Sequence, residues 1–284
     1  MVSLMGPILD GFAQDASTDI PKVPDEKALA YGKLVVQDMD GRMKPLNTLA
    51  LEITRKLTGK TSAEVTLGEN EIQLSPEQLV LGVQLNPELY QRTPLLKIDL
   101  EKSAGVFQTL QVAPVSRLSF QDFIDDEGSY LLHEQVEAVN RLKPSERSDA
   151  DNELLKTDER FNMFYGLLTG DFLRLYPNKL DPDDSWYTKN ESRQGFTAEV
   201  ARFVANIGTL YLEGLRKGME TGDWNASNEA LSYMDLFQRE AGKSVYPATA
   251  MIKGELLYNK LRLGSRLFGP FWLIGLVIGR YLGQ

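Results

Sequence analysis

The chain contains no cysteine. Whatever it folds into is held without disulfides, thiolate zinc sites or iron–sulfur clusters. The same absence removes a Cys nucleophile and the CxxCH haem-attachment motif, so the chain is not itself a c-type cytochrome. Histidine occurs once, as His133, which excludes two-His motifs such as HExxH and the facial triad. With 284 residues, 42% apolar and 25% charged, a core of ordinary size can form. The net charge of −9 argues against a nucleic-acid partner, because phosphate-binding surfaces concentrate Lys and Arg.

Chemical motifs are sparse. The stretch Tyr130–Val136 reads as an amphipathic helix with His133 on its flank, and no GxSxG-type turn supplies a nucleophile for it. A hydrolase working through His133 and an acidic partner therefore lacks its third member. No GxGxxG or Walker pattern occurs. Asp181, Asp183 and Asp184 lack EF-hand spacing and its closing Glu, and read as a solvated loop. Asp171 and Arg174 read as an i, i+3 pair on one helix. No catalytic constellation and no metal set emerges.

The local patterns predict a mainly α-helical domain with a small β element near the start. Leu34–Gln37 is β-like, Asp38–Gly41 is a turn, and Arg42–Leu46 returns, with Pro45 confining it to an edge. Asn47 is then the expected N-cap of a helix through Leu57, stopped by Gly59. Residues 64–74 partly alternate and form a second β candidate. Ser75-Pro76-Glu77-Gln78 is a capping-box helix start, and Asn86-Pro87 starts another. Ser119–Asp122 is expected to open a third helix, followed by helices over about 130–142 and 149–176. Trp186-Tyr187 is expected to be a packing anchor. Residues 197–241 read as an α-hairpin turning at Gly222-Asp223-Trp224; it resembles a tetratricopeptide-like hairpin, but a single copy supports no repeat array.

The two ends differ from the middle. Residues 1–27 form an N-terminal segment whose last part, 14–27, has linker composition, and whose start lacks the basic region of a signal peptide. From Leu267 to Gly279 thirteen residues carry no charge. As a helix these span about 20 Å, less than the ~30 Å hydrocarbon core of a bilayer, yet their Gly, Pro and Trp content suits a membrane segment. Residues 248–284 hold five Lys or Arg and one Glu, which leaves −13 on residues 1–247. The expectation is a helical domain over 28–262, a partial transmembrane helix over 263–284, and a chain that is a fragment. Charge alone leaves the orientation open: the positive-inside rule would put the domain in the cytoplasm, but it weakens for domains longer than about 60 residues.

One segment stands apart. Gln37–Thr48 is a compact turn presenting Arg42, Lys44 and Asn47 before a helix N-terminus, where cations and backbone N–H groups could receive an anionic group or a partner. The alternative is a structural turn whose polar groups satisfy one another.

Here the chain resembles a known family. The string LVVQDMDGRMKPLNTLALEITRKLTG is similar to the extracytoplasmic portion of system II cytochrome c biogenesis proteins of the Ccs/Res type, in their fused form. The likeness continues in LVLGVQLNPELYQRTPLLKI, SFQDFID, KPSERSDADNELLKTDERFNMFYGLLTGDFLRLYP, GDWNASNEAL and KGELLYNKLRLGSRLFGPFWLIGLVIG. The resemblance implies a part in haem delivery and covalent haem attachment to apocytochrome c at a bacterial inner membrane. It places the domain in the periplasm, with apocytochrome c, other parts of the haem-delivery machinery and the membrane as partners. It also implies haem as cofactor of the full-length protein, but no WGxxWxWD-like segment is present and His133 matches no family motif. No haem ligand is therefore expected here. A generic helical interaction scaffold is the rival reading.

Overall fold

The computed structural model describes residues 22–67, 70–191 and 195–261. Ten helices run through them: α1 (Asp25–Tyr31), α2 (Leu46–Thr58), α3 (Pro76–Leu85), α4 (Pro87–Arg92), α5 (Ala104–Leu110), α6 (His133–Asn140), α7 (Asp149–Thr169), α8 (Ala198–Thr221), α9 (Asn225–Ala241) and α10 (Thr249–Leu261). Four antiparallel strand pairs decorate them: β1 (Val35–Gln37) with β2 (Met43–Pro45), β3 (Ala63–Leu67) with β4 (Asn70–Leu74), β5 (Leu96–Lys97) with β6 (Arg117–Leu118), and β7 (Tyr176–Pro177) with β8 (Trp186–Tyr187). The mainly helical expectation holds; the β element near the start forms as β1–β2 and the second β candidate, 64–74, as β3–β4, while the two short pairs β5–β6 and β7–β8 are additional. The proposed membrane segment, 263–284, lies outside the described residues. Among those described, no helix is long and apolar enough to cross a membrane.

Helix α3 is the centre of the core. Nearly every residue from Glu77 to Leu85 is buried, and α1, α2, α4, α7 and α8 all pack around it. An apolar helix surrounded on all sides suits such a position. Its start matches the sequence reading: Ser75 Oγ accepts from the Gln78 N–H at 3.3 Å, and the Gln78 side chain accepts from the Ser75 N–H at 2.8 Å. Beside it Phe120, Phe123, Tyr130, Phe161 and Phe164 form an aromatic cluster, with Phe161 stacked on Tyr130 at 4.2 Å and on Phe120 at 4.8 Å. Stacks of this kind add to the area they bury.

The α8–α9 hairpin forms as expected, and its two helices meet closely at Gly214. A Cβ there would lie 2.5 Å from the Ser227 backbone nitrogen, so only glycine permits the approach. Tyr211, Leu215, Ala230 and Met234 are buried along this contact and carry the hairpin onto the core.

Several local expectations are corrected. Helix α2 begins at Leu46, so Asn47 lies inside the first turn and is not the N-cap. The Leu46 and Asn47 N–H groups already donate to the carbonyls of Leu34 and Gly32 at 2.8 and 2.9 Å, which removes the need for a side-chain cap. Ser119 and Asp122 cap each other, but only a single 3₁₀ turn follows, because Ile124 becomes extended to bridge Tyr130. Helix α7 stops at Thr169 rather than running to Tyr176, since the chain turns at Gly170 and Tyr176 pairs with Tyr187. That break also separates Asp171 from Arg174, which meets Glu191 at 3.3 Å instead. Helix α1 begins at Asp25, inside the stretch read as linker. Trp186 is a buried anchor, as expected.

The contact at Gly214 generates a prediction. Gly214→Ala forces backbone against backbone and is expected to cost about 1–3 kcal/mol, whereas Gly254→Ala, which meets nothing within 4 Å, is expected to be neutral or stabilising by up to about 1 kcal/mol. Urea unfolding of the two variants beside the parent checks both signs.

Candidate functional site: the seat of the last described helix

The turn singled out in the sequence is built by the β1–β2 hairpin. Val35 pairs with Pro45, Val36 with Lys44 and Gln37 with Met43. Asp38 Oδ1 accepts from the N–H groups of Asp40 and Arg42 at 3.0 and 2.8 Å, and Gly41 takes the positive φ of 83° that closes the turn. This is an Asx-supported turn with glycine at the position that needs it.

The structure brings Arg42, Lys44 and Asn47 to one side of the molecule, each against carboxylates or amides of the chain itself. Lys44 is only 5% exposed, and its Nζ lies 2.8 Å from both Asp38 and Glu52. Arg42 Nη2 donates to Glu255 of α10 at 2.9 Å. Asn47 Nδ2 donates to Glu77, while its Oδ1 accepts from Asn259 of α10 at 2.9 Å. Thr48 completes the set: its hydroxyl donates to Glu255 and accepts from Asn259, both at 2.9 Å. A continuous path of hydrogen bonds thus runs from α10 through the first turn of α2 to Glu77, whose other oxygen accepts from Ser75 at the start of α3.

Below these polar contacts sits a small second core. Ile252 of α10 packs with Val35 and Trp186, flanked by Met43, Val245, Tyr246 and Leu256. Helix α10 is therefore seated on the β1–β2 hairpin by one apolar plug and a ring of polar contacts. Sequence reasoning missed Thr48, Ile252, Glu255 and Asn259. The last three share a helix face through the i, i+3, i+7 spacing, a weak signal because two of the three are polar.

The charge pair in the seat has a definite pH response. Burial pushes the Asp38 carboxyl up, but hydrogen bonds from Lys44, Arg42 and Asp40 outweigh this and hold it below the usual carboxylate range. Burial likewise pulls the Lys44 ammonium down, and its hydrogen bonds to Asp38 and Glu52 more than restore it.

Other candidates are poorer in chemistry. His133 opens α6, is 69% exposed, and lies 3.7 Å from Glu137. A cavity of about 230 Å³ opens between α3, α8 and the end of α7, lined by Tyr31, Tyr176 and Tyr211 among others. Tyr31 stacks on Tyr211 at 5.2 Å, and burial pushes the Tyr31 hydroxyl up to about 12 and the other two higher still, so all three stay neutral phenols. Among the described residues, no three His, Asp or Glu side chains converge as a metal set.

Comparison with known proteins adds a relative. Protein NrfI of Wolinella succinogenes is 31% identical to this chain over 257 residues, 90% of the chain and 27% of the relative. The chain thus spans about a quarter of the length of the curated relative it matches. No family model matches the chain.

The depressed Asp38 carboxyl makes a signed prediction. Its contribution to stability is present above the unfolded pKa of about 3.9 and is lost as pH falls through the lower folded value. Asp38→Asn keeps the acceptor of the turn and removes the charge. The parent is therefore expected to exceed the variant in urea midpoint at pH 7, with the gap closing below about pH 4.

Proposed function

We propose that the chain is the membrane-tethered extracytoplasmic module of a cytochrome c assembly protein, serving haem delivery to, and attachment on, apocytochrome c. Its place in this reading is the periplasmic side of a bacterial inner membrane. Its partners are apocytochrome c and the rest of the delivery machinery, with haem handled by parts of the full-length protein beyond this chain. The role left to the module is presentation of the apoprotein or assembly of the complex.

The observation that carries the reading is where the resembling strings meet. The first, Leu34–Gly59, forms β1, β2 and α2; the last, Lys253–Gly279, begins in α10. They are about 200 residues apart in sequence yet form one interface, through Arg42 with Glu255 and through Asn47 and Thr48 with Asn259. Strings that resemble a family at separate places, and then pack on each other, support a shared architecture rather than chance similarity. The likeness to NrfI along 90% of the chain supports the same reading.

The test is cytochrome c maturation in cells expressing the full-length protein with residues 28–262 removed. Covalent haem on the apocytochrome, read by haem staining of denaturing gels, is expected to fall to background. Undiminished staining would reject the proposal.

A further inference from the structure

Helix α10 has three distinct faces. At about 100° per residue, Glu255, Asn259, Ile252 and Leu256 point into the seat already described. Leu257 and Leu261 lie across the helix from them, and Met251 and Tyr258 on the flank beside Glu255; the four form an exposed apolar arc. Their exposures, 68% for Met251, 54% for Leu257, 51% for Tyr258 and 39% for Leu261, are large for such side chains. Lys253 and Lys260, both exposed, run along the border between the two faces. An outward apolar strip beside a lysine row, on a helix held firmly by its third side, is the pattern of a helix lying in a bilayer interface.

We propose that the outer face of α10 rests on an anionic lipid surface and fixes how the domain stands on the membrane. This rests on the tethered reading above. Three observations select lipid as the occupant. Only five residues, Arg262–Arg266, separate Leu261 from the uncharged stretch Leu267–Gly279; at no more than about 3.6 Å each, they keep the end of α10 within roughly 20 Å of wherever that stretch enters. The charge is polarised: residues 248–284 hold five Lys or Arg and one Glu, against a net −13 on residues 1–247, so an anionic surface attracts this end of the chain and repels the body. The docked face of α10 also leaves the bulk of the domain on the side opposite the apolar arc, clear of the lipid.

The absence of cysteine makes the test direct. Single cysteines replace Met251, Leu257 or Tyr258 on the outer face, or Leu180 on the exposed β7–β8 loop. Each full-length chain carries a nitroxide label in vesicles of phosphatidylethanolamine and phosphatidylglycerol. Oxygen and a nickel chelate then report depth by electron paramagnetic resonance. The expected result is nickel accessibility about tenfold lower at the three outer positions than at 180, with label depths of about 5–10 Å. Leu257→Glu combined with Tyr258→Glu leaves the seat intact; the label at 251 is then expected to become as nickel-accessible as the one at 180. Outer labels matching position 180 in a chain that sediments with the vesicles would overturn the interfacial helix and leave the tether standing. Labels shielded from oxygen and nickel alike would mean a protein cover, from the N-terminal segment, a second copy or a polypeptide partner, and would also overturn it. A chain that does not stay with the vesicles would sink the tether and this inference together.

Discussion

The buried amide of Gln238 joins the β1–β2 hairpin to the helical body. Strand β1 pairs with β2 on one side only, which leaves the outward N–H and carbonyl of Val35 without a strand partner. Gln238, 1% exposed on α9, supplies both: its Oε1 accepts from the Val35 N–H at 3.0 Å, and its Nε2 donates to the carbonyls of Val35 and Leu175 at 2.8 and 2.9 Å. One side-chain amide thus acts as a missing strand. Because each buried backbone group left unpaired costs about 1–3 kcal/mol, this contact anchors the hairpin to the helical body more firmly than any surface charge pair can.

What depends on that anchor is the seat of α10. Gln37 ties the same strand to Trp186 by accepting from its backbone N–H at 2.7 Å, and Trp186 forms the floor on which Ile252 lands. A displacement of β1 would therefore move the floor and the polar rim together, since Arg42 and the first turn of α2 follow directly in sequence. The joint is built from residues whose net effect is mechanical: cations answered by carboxylates, amides answered by amides, and one apolar plug. In the proposed function this lets the domain be held at a set angle to the membrane.

Much of this was legible from residue order. The Asp-Gly turn, the capping box at Ser75, the Asn86 restart and the α8–α9 hairpin rest on contacts between near neighbours, and these appear as predicted. What escaped depends on residues far apart. The pairs β5–β6 and β7–β8 are two residues long per strand, too short to show a period. Helix α7 ends early because Tyr176 finds a partner eleven residues later, which no helical pattern reveals. Asn47 reads as a cap by residue type, but the preceding backbone has already satisfied the N–H groups it would have served. Gln238 sits in a polar Gln-Arg-Glu run that reads as solvated surface, and only the open edge of β1 explains its burial. Of the site, Arg42, Lys44 and Asn47 were visible as a cluster, whereas the helix that Arg42 and Asn47 face was not, because Glu255 and Asn259 interrupt any apolar stripe.

Amide hydrogen exchange on the full chain in lipid nanodiscs tests the central claim that α10 is an integral part of the domain. The account predicts that α10 amides are protected together with those of β1 and β2, and that Gln238→Leu releases all three in a single step while α8 remains slow. Amides of α10 exchanging in the parent chain as fast as those of an unfolded peptide would contradict it.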